Sequence, residues 1–268
     1  MISSDHPLIP LCIPSMAALN LPSTEELPCS DDIPVDNEDQ NFLPNLLLFM
    51  LIILRADRMD WYFGVDMSVY HTTGVSPWVP VVPDAFFSLG VERKKGGKSR
   101  RSYATWEENN VIPALVLEMV SHKPGGEYDT KFEIHTTLGV LYYVIYNPEF
   151  WKRDRHHPFE VYKLVDGVYN LQIGEPHWMP ELGLGLGRTQ SLVGGIQQEI
   201  LCWFDETGIA YPTPDDLHRQ SAVDRYQLCQ EQRRADEQQQ RAEDQQQEIL
   251  KIRSYLRSIG IDPDNLPT

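Results

Sequence analysis

Two carboxylates interrupt apolar segments of the kind that form buried β-strands. Asp84 closes the run VVPD, and Glu118 lies inside the run PALVLEMV. An ionised side chain in such a strand is costly unless a positive group compensates it. Carboxylate oxygens at neighbouring strand ends suit Mg²⁺ or Mn²⁺, which can activate water and stabilise a phosphoryl oxygen. Together the two acids indicate a metal site, although each alone also fits a strand-edge residue capped by backbone or paired with Arg or Lys.

The residues after Glu118 predict a turn, a helix and a second strand. The turn is HKPGGEYDT, Lys131 heads the helical segment KFEIHTTLG, and LYYVIYN forms the next buried strand. This order is typical of a crossover unit, in which the two strands are parallel and the helix packs on the sheet. Lys131 should therefore start near the end of the strand that carries Glu118, where it could place its ammonium near the two carboxylates; if it points elsewhere, the protein could bind metal without hydrolysis. His135 lies further along this helix and is interpreted as a surface or packing residue.

Four short motifs follow one another in a recognisable order. They are Pro83-Asp84, EMVS from Glu118, DTK ending at Lys131, and GVLYYVIYNP from Gly139. With them the chain resembles the Uma-two family of restriction endonucleases, a branch of the PD-(D/E)XK nuclease superfamily. The likeness extends over about residues 30–205, and the Gln-rich tail with its ending GIDP is similar to appendages in that family.

The resemblance implies an α/β fold with a restriction-endonuclease-like mixed β-sheet core flanked by helices, followed here by a long C-terminal helix. It also implies a metal-dependent endonuclease that hydrolyses DNA. In that activity Asp84 and Glu118 hold Mg²⁺ or Mn²⁺, and Lys131 orients the attacking water. A third acid usually comes from the first core helix.

Glu38 is the nearest candidate for this third acid, and Asp36 and Asp39 compete with it. An alternative for Glu38 is a solvent-facing position that the helix dipole favours.

The sequence departs from the superfamily pattern at Val120. The pattern has Lys two positions after the second acid, and in some branches that lysine lies on the following helix, where this chain has Lys131. A net charge of −16 also opposes binding to a polyanion. The alternative function is therefore a catalytically silent nuclease-fold protein that recruits a partner through its acidic surface and tail.

A basic loop is predicted between the two acid strands. It contains Arg93, Lys94, Lys95, Lys98, Arg100 and Arg101. Such a loop could contact phosphates beside a metal site, or it could be a solvated hairpin tip.

Composition predicts a protein outside the membrane and in the cytoplasm. The longest apolar run has nine residues, and residues 1–54 carry eight acids and no Lys or Arg, unlike a signal peptide. The four cysteines are too scattered for a disulfide framework or a zinc pair. Composition shifts divide the chain into an acidic Pro-rich segment (1–30), a nuclease-like domain (31–213) and a helical tail (214–268).

Local patterns predict the remaining elements. A helix is expected from about Asn41 to Arg58 with Pro44 in its first turn. The predicted strands are 62–70, 79–89, 114–121, 141–146, 191–193 and 199–204, with a hairpin formed by 159–165 and 169–173. The run from Gly183 to Gly187 is interpreted as a turn, and Trp151, Trp178 and Trp203 as walls of the sheet.

The tail predicts a long helix with a thin apolar stripe. The stripe repeats every seven residues at Leu228, Ala235, Ala242, Ile249 and Leu256. A coiled coil also needs apolar residues three positions after each residue of the stripe, and here only Ile252 and Ile259 meet this need. A weak homodimer through that end, as a coiled coil, and a monomeric helix that folds back are both compatible with the pattern.

Overall fold

The structure is a computed structural model and describes residues 21–29, 37–123, 125–260 and 262. The chain divides into two units between Tyr211 and Pro212. In chain order the elements are α1 (Glu38–Leu54), β1 (Trp61–Val65), β2 (Val69–Tyr70), β3 (Ala85–Leu89), β4 (Tyr103–Ala104), β5 (Leu115–Met119), α2 (Thr130–Leu138), β6 (Tyr142–Tyr146), α3 (Trp151–Asp154), β7 (Phe159–Val165), β8 (Val168–Leu171), β9 (His177–Met179), β10 (Leu184–Val193), β11 (Ile196–Phe204) and α4 (Pro214–Ser258).

A six-stranded mixed sheet forms the centre of the first unit. Its strand order is β1-β3-β5-β6-β7-β8. β5 and β6 are parallel, and the other neighbouring pairs are antiparallel. The connection between β5 and β6 contains α2, as the crossover pattern predicts. The predicted mixed α/β fold class, with flanking helices and a long C-terminal helix, is confirmed.

Two predicted strands are shorter than expected. The segment 62–70 breaks into β1 and β2 because Asp66 adopts a positive φ of 48°. The segment 79–89 contributes only β3, since Pro80 and Pro83 carry no N–H and cannot donate to a strand ladder. Asp84 therefore immediately precedes β3 instead of lying within a longer strand.

The interpretation of the Gly183–Gly187 run as a turn is wrong for most of its length. Gly183 has a positive φ of 64°, but β10 begins at Leu184 and pairs with both β9 and β11. A Cβ on Gly187 would lie 2.9 Å from the Cα of Pro176. Glycine is required there for close approach of two backbone segments, which is a use of glycine in strands.

Helix α1 starts earlier than predicted. The Asn37 side chain caps it by accepting a hydrogen bond from the Gln40 backbone N–H at 3.0 Å, and the helix ends at Leu54. Pro44 consequently lies beyond the first turn, where it removes one backbone hydrogen bond. Pro44 is buried, as are Leu43 and Leu47, which belong to the apolar cluster on the sheet.

Apolar clusters cover both faces of the sheet. On one face α1 and the three-stranded sheet β9-β10-β11 pack together, and the Trp203 indole donates a hydrogen bond to the Leu47 carbonyl at 3.0 Å. On the other face α2 packs over Tyr143 and Ile145. Trp203 is buried, whereas Trp151 and Trp178 are half-buried, so only one of the three predicted tryptophans lies fully in the core.

The basic loop between β3 and β5 is engaged with protein groups. Arg93 stacks on the Trp61 ring at 4.1 Å, and Lys95 binds Glu107 at 2.8 Å. The Arg100 side chain is buried and pairs with buried Glu108 at 2.9 Å. Arg101 forms an exposed pair with Glu25 at 2.9 Å. Acidic neighbours thus neutralise much of the charge that the sequence offered for binding phosphates.

Glu108→Ala is expected to lower the free energy of unfolding by about 3–5 kcal/mol, because it leaves the Arg100 guanidinium buried without its counterion. Glu25→Ala is the matched control, since the Arg101–Glu25 pair is exposed and should contribute less than about 1 kcal/mol. Urea denaturation measures both. Equal effects of the two substitutions would contradict the assignment of Arg100–Glu108 as a structural pair.

The second unit contains α4, a helix of 45 residues. Thr213 and Asp216 form a capping box at its start. No residue of α4 is buried, and its apolar side chains at Leu228, Ile249 and Ile252 are more than half exposed. Pairing of two copies through this stripe stays a prediction. No helix in the described part of the chain is long and apolar enough to cross a membrane.

Candidate active site

The sheet register brings Asp84 and Glu118 together. Ala85 pairs with Leu117 across the antiparallel strands β3 and β5, so the next residues outward, Asp84 and Glu118, face each other. The backbone N–H of Met119 donates to Asp84 Oδ2 at 2.7 Å. Glu118 is the penultimate residue of β5 and is fully buried. Both carboxyl groups therefore lie at one edge of the sheet, on the face that α2 covers.

Helix α2 directs Lys131 at Glu118. The turn before it contains Gly126 with φ of 85°, and the Asp129 carboxylate caps the helix start. Lys131 Nζ donates to Glu118 Oε2 at 2.7 Å and lies 3.5 Å from the Val82 carbonyl oxygen. The structure thus joins Asp84, Glu118 and Lys131, the three residues for which the sequence predicts a catalytic role.

His135 is a fourth member of this cluster. Its side chain is fully buried, and Nε2 lies 3.4 Å from Glu118 Oε1. Burial, with a smaller contribution from the Lys131 charge, lowers the pKa of His135 to about 3, so the imidazole is neutral. Nδ1 is buried without a hydrogen-bond partner in the described structure, which assigns the N–H to Nε2, since a buried unpaired donor costs more.

The expectation that His135 is a surface or packing residue misses its contact with Glu118. The available signal is its spacing: His135 lies four residues after Lys131, on the same face of α2. Both side chains therefore reach the same carboxylate, one at each oxygen.

Burial and neighbouring charges determine the protonation of the carboxyl pair. Burial raises the pKa of Glu118, and Lys131 partly opposes this. Burial, followed by the negative charge of Glu118, raises the pKa of Asp84 well above its ordinary range. For Lys131, burial lowers the pKa, but the attraction of Glu118 outweighs it and the net change is a raised pKa. The site therefore favours a charged lysine and a proton on Asp84.

Glu127 is a buried acid near this cluster that the sequence did not indicate. The N–H of Gly125 binds both of its carboxylate oxygens, at 3.0 and 2.9 Å. Its charge contributes to the raised pKa of both Glu118 and Lys131. Glu127 thereby adds negative potential at the same sheet edge.

The predicted third acid lies apart from the carboxyl pair. Glu38 is exposed and lines a cavity of about 200 Å³ together with Asp39, Met119 and Glu149. In the described structure no hydrogen bond or ion pair joins Glu38 to Asp84 or Lys131. Burial raises the pKa of Asp39, and Glu38 and Glu149 raise it further. Asp36 lies outside the described residues.

Gln40 connects α1 to the carboxyl pair instead. Its Nε2 donates to the Met119 carbonyl at 3.2 Å, while the N–H of the same residue binds Asp84. The neutral side-chain amide of Gln40, on α1, therefore helps to position the Met119 backbone that binds Asp84.

Comparison with known proteins places the chain in a family. The Uma2 family, described as "Putative restriction endonuclease", matches residues 33–192, which is more than half of the chain. The chain belongs to the Uma2 family. A crystal structure described as a "putative nuclease belonging to DUF820" from Anabaena variabilis ATCC 29413 is 10% identical, with 55% of this chain and 74% of that chain covered and a TM-score of 0.38. No curated protein matches the chain.

The donor set of this Uma2 protein fits a hard divalent cation with few protein ligands. Within the described residues, no group of three or more His, Cys, Asp or Glu side chains is placed to hold a metal ion. Mg²⁺ commonly keeps several waters and is bound through one or two carboxylates plus substrate phosphates. Asp84 and Glu118 supply such a pair, and the negative charge of Glu118, which raises the pKa of Asp84, is the kind that a bound cation offsets.

Asp84→Asn is expected to stabilise the metal-free Uma2 protein at pH 8. Because the pKa of Asp84 is raised, the folded state binds more protons than the unfolded state, and stability falls as pH rises through the raised pKa. Asparagine keeps an acceptor for the Met119 N–H without the charge. We expect a gain of about 2–4 °C in Tm, the shift that roughly 1 kcal/mol produces in a domain of this size.

The pH dependence provides the control for Asp84→Asn. The difference in Tm from wild type should shrink as the pH falls below the raised pKa, because wild-type Asp84 then binds its proton. A variant that is less stable than wild type at every pH would contradict the assignment of repulsion to this pair.

Proposed function

We propose that the protein is a metal-dependent endonuclease that hydrolyses the phosphodiester bonds of DNA. The contact of Lys131 with Glu118, beside Asp84 at one edge of a mixed sheet, carries the proposal. Membership of a family described as restriction endonucleases supports it. The combination of two acids and a lysine matches the needs of phosphoryl chemistry, where charge stabilisation and positioning contribute most of the catalysis.

Each residue of the cluster has a distinct proposed role. Asp84 and Glu118 hold the cation, which when bound supplies a Lewis acid and a water of lowered pKa. Lys131 stays protonated because Glu118 raises its pKa, and it orients the attacking water and stabilises negative charge on the phosphate. His135 donates to Glu118 Oε1 and holds the carboxylate from the protein interior.

A catalytically silent interaction protein is the second candidate function. Val120 occupies the usual lysine position, and its buried side chain carries no charge. In addition, Lys131 and His135 already occupy both oxygens of Glu118. The net charge of −16 also favours a partner other than a polyanion.

The wild-type chain is expected to nick supercoiled plasmid in millimolar Mg²⁺ or Mn²⁺ and to lose this activity in EDTA. The physical reason is that a cation held by the paired carboxylates would lower the pKa of its bound water and so supply the attacking hydroxide. Gel analysis of nicked and linear plasmid measures the reaction, and calorimetry under the same conditions should show a higher Tm with the cation. Absence of cleavage of plasmid, single-stranded DNA and RNA with either cation would favour the silent protein.

A further inference from the structure

The loops after β5 and β6 carry a second group of basic side chains. Lys123 follows β5, and Lys152, Arg153 and Arg155 follow β6. All four residues are exposed. We call these four residues the basic rim.

The basic rim lies at the same sheet edge as Glu118. β5 and β6 are parallel and pair Glu118 with Ile145, so the loops that follow both strands leave the sheet at one edge. Arg153 joins the two loops, because its Nη1 donates to the His122 carbonyl at 2.9 Å. The charge of Glu127 also raises the pKa of both Glu118 and Arg153, which places Glu127 within electrostatic reach of both groups.

Three of the four charges of the basic rim have no acidic partner in the described structure. Arg153 pairs with Asp154 at 2.6 Å and lies over the Phe150 ring at 4.4 Å. Lys152 lies over the Trp151 ring at 5.0 Å. Within the described part of the chain, Lys123, Lys152 and Arg155 form no ion pair. In the loop between β3 and β5, Lys95, Arg100 and Arg101 are paired with acids, whereas Lys94 and Lys98 are exposed and form no ion pair in the described structure. The two groups therefore differ in their position on the sheet, and this difference is what the comparison of variants tests.

We propose that the basic rim binds the phosphate backbone of double-stranded DNA beside the carboxyl pair. The inference rests on the proposed nuclease function and names its nucleic-acid contact surface. Local charge decides such contacts, because Lys and Arg release condensed counterions from each phosphate they neutralise. A chain with a net charge of −16 can therefore bind DNA through a local group of basic side chains, because contacts of this kind depend on the charges nearest the phosphates. Backbone contacts of this kind fix the position of the duplex without reading its sequence.

Binding of a fluorescent DNA duplex tests the basic rim. The parent is the full chain with Glu118→Gln in EDTA, so that the proposed hydrolysis does not interfere. Lys152→Gln/Arg155→Gln removes two rim charges, and Lys94→Gln/Lys98→Gln removes two exposed lysines from the other basic loop as a matched control. Fluorescence anisotropy is measured between about 50 and 200 mM salt.

We expect the rim variant to bind at least tenfold more weakly than the parent at the lowest salt. Its plot of log K against log salt should be shallower by about 1.8, since each lost phosphate contact removes about 0.9 from the slope. The control variant should keep the slope and affinity of the parent. Equal weakening in both variants, unchanged binding in the rim variant, or no binding by the parent would overturn the inference.

The outcomes separate this inference from the proposed function. A wild-type chain that cleaves DNA in Mg²⁺, with a rim variant that binds as tightly as the parent, overturns the rim alone. A rim variant that binds weakly as expected, with a wild-type chain that cleaves no nucleic acid, supports the rim and overturns the endonuclease.

Discussion

Glu118→Gln is expected to lower the rate of metal-dependent DNA cleavage by about 10³ or more. Several kcal/mol of transition-state stabilisation depend on a cation held beside the scissile phosphate, and each 1.36 kcal/mol corresponds to a factor of ten in rate. Glutamine fills the same buried space but removes the charge that holds the cation and pairs with Lys131. Plasmid cleavage gives the rate, and calorimetric titration with Mn²⁺ gives the metal affinity.

Glu160→Gln is the matched control for Glu118→Gln. Glu160 is a buried acid in the same row of the sheet, because Ile145 pairs with Glu118 on one side and with Glu160 on the other. Its carboxylate accepts hydrogen bonds from the Tyr162 hydroxyl and the His157 backbone N–H. We expect this variant to cleave within a few-fold of wild type. Equal losses in the two variants would indicate general damage to the sheet and contradict a specific role for Glu118.

The placement of Asp84, Glu118 and Lys131 follows from local patterns. The apolar run around Glu118 and the run LYYVIYN have the length and residue types of buried strands, and the short crossover between them favours a parallel pair with a helix on the sheet, as the structure shows. These constraints place the first turn of α2 over the strand end. The ion pair between Lys131 and Glu118 follows from them without any long-range information.

The remaining partners of the site depend on contacts between distant segments. Gln40 reaches Met119 across 79 positions, and only the packing of α1 against the sheet determines that contact. The partners of the basic loop between β3 and β5 also depend on distant segments. Its acidic partners include Glu25, which is 76 positions away from Arg101. The sequence shows how many basic side chains a loop contains, whereas the tertiary structure determines which of them form ion pairs with acidic residues.

The strand bounds that were missed have local causes that outweigh hydrophobic patterning. Prolines at 80 and 83 shorten the apolar segment before Asp84, and this leaves Asp84 at a strand start with its carboxylate on the Met119 N–H. The glycines of β10 have the opposite effect. They resemble a turn in sequence, but they lie in a strand, and the close approach of Pro176 requires glycine at Gly187.

Lys131→Met is expected to lower the cleavage rate by about 10² or more, as the loss of one charge-stabilising group commonly does. Val120 supplies no charge at the usual lysine position, so the ammonium of Lys131, 2.7 Å from Glu118 Oε2, is the cation next to the carboxyl pair. The affinity for Mn²⁺ should stay within a few-fold of wild type, because an ammonium is not a metal ligand. Lys131→Arg keeps the charge and should retain more activity than Lys131→Met.

A third variant in this series returns a positive charge to the strand. Val120 lies two residues after Glu118, so its side chain projects from the same face of the sheet. Val120→Lys in the Lys131→Met background should therefore recover part of the lost rate if a positive charge is what the reaction needs. Circular dichroism of each variant shows whether the fold is intact. A folded Lys131→Met protein that cleaves at the wild-type rate would exclude Lys131 from the reaction, since its charge would then contribute nothing to the transition state.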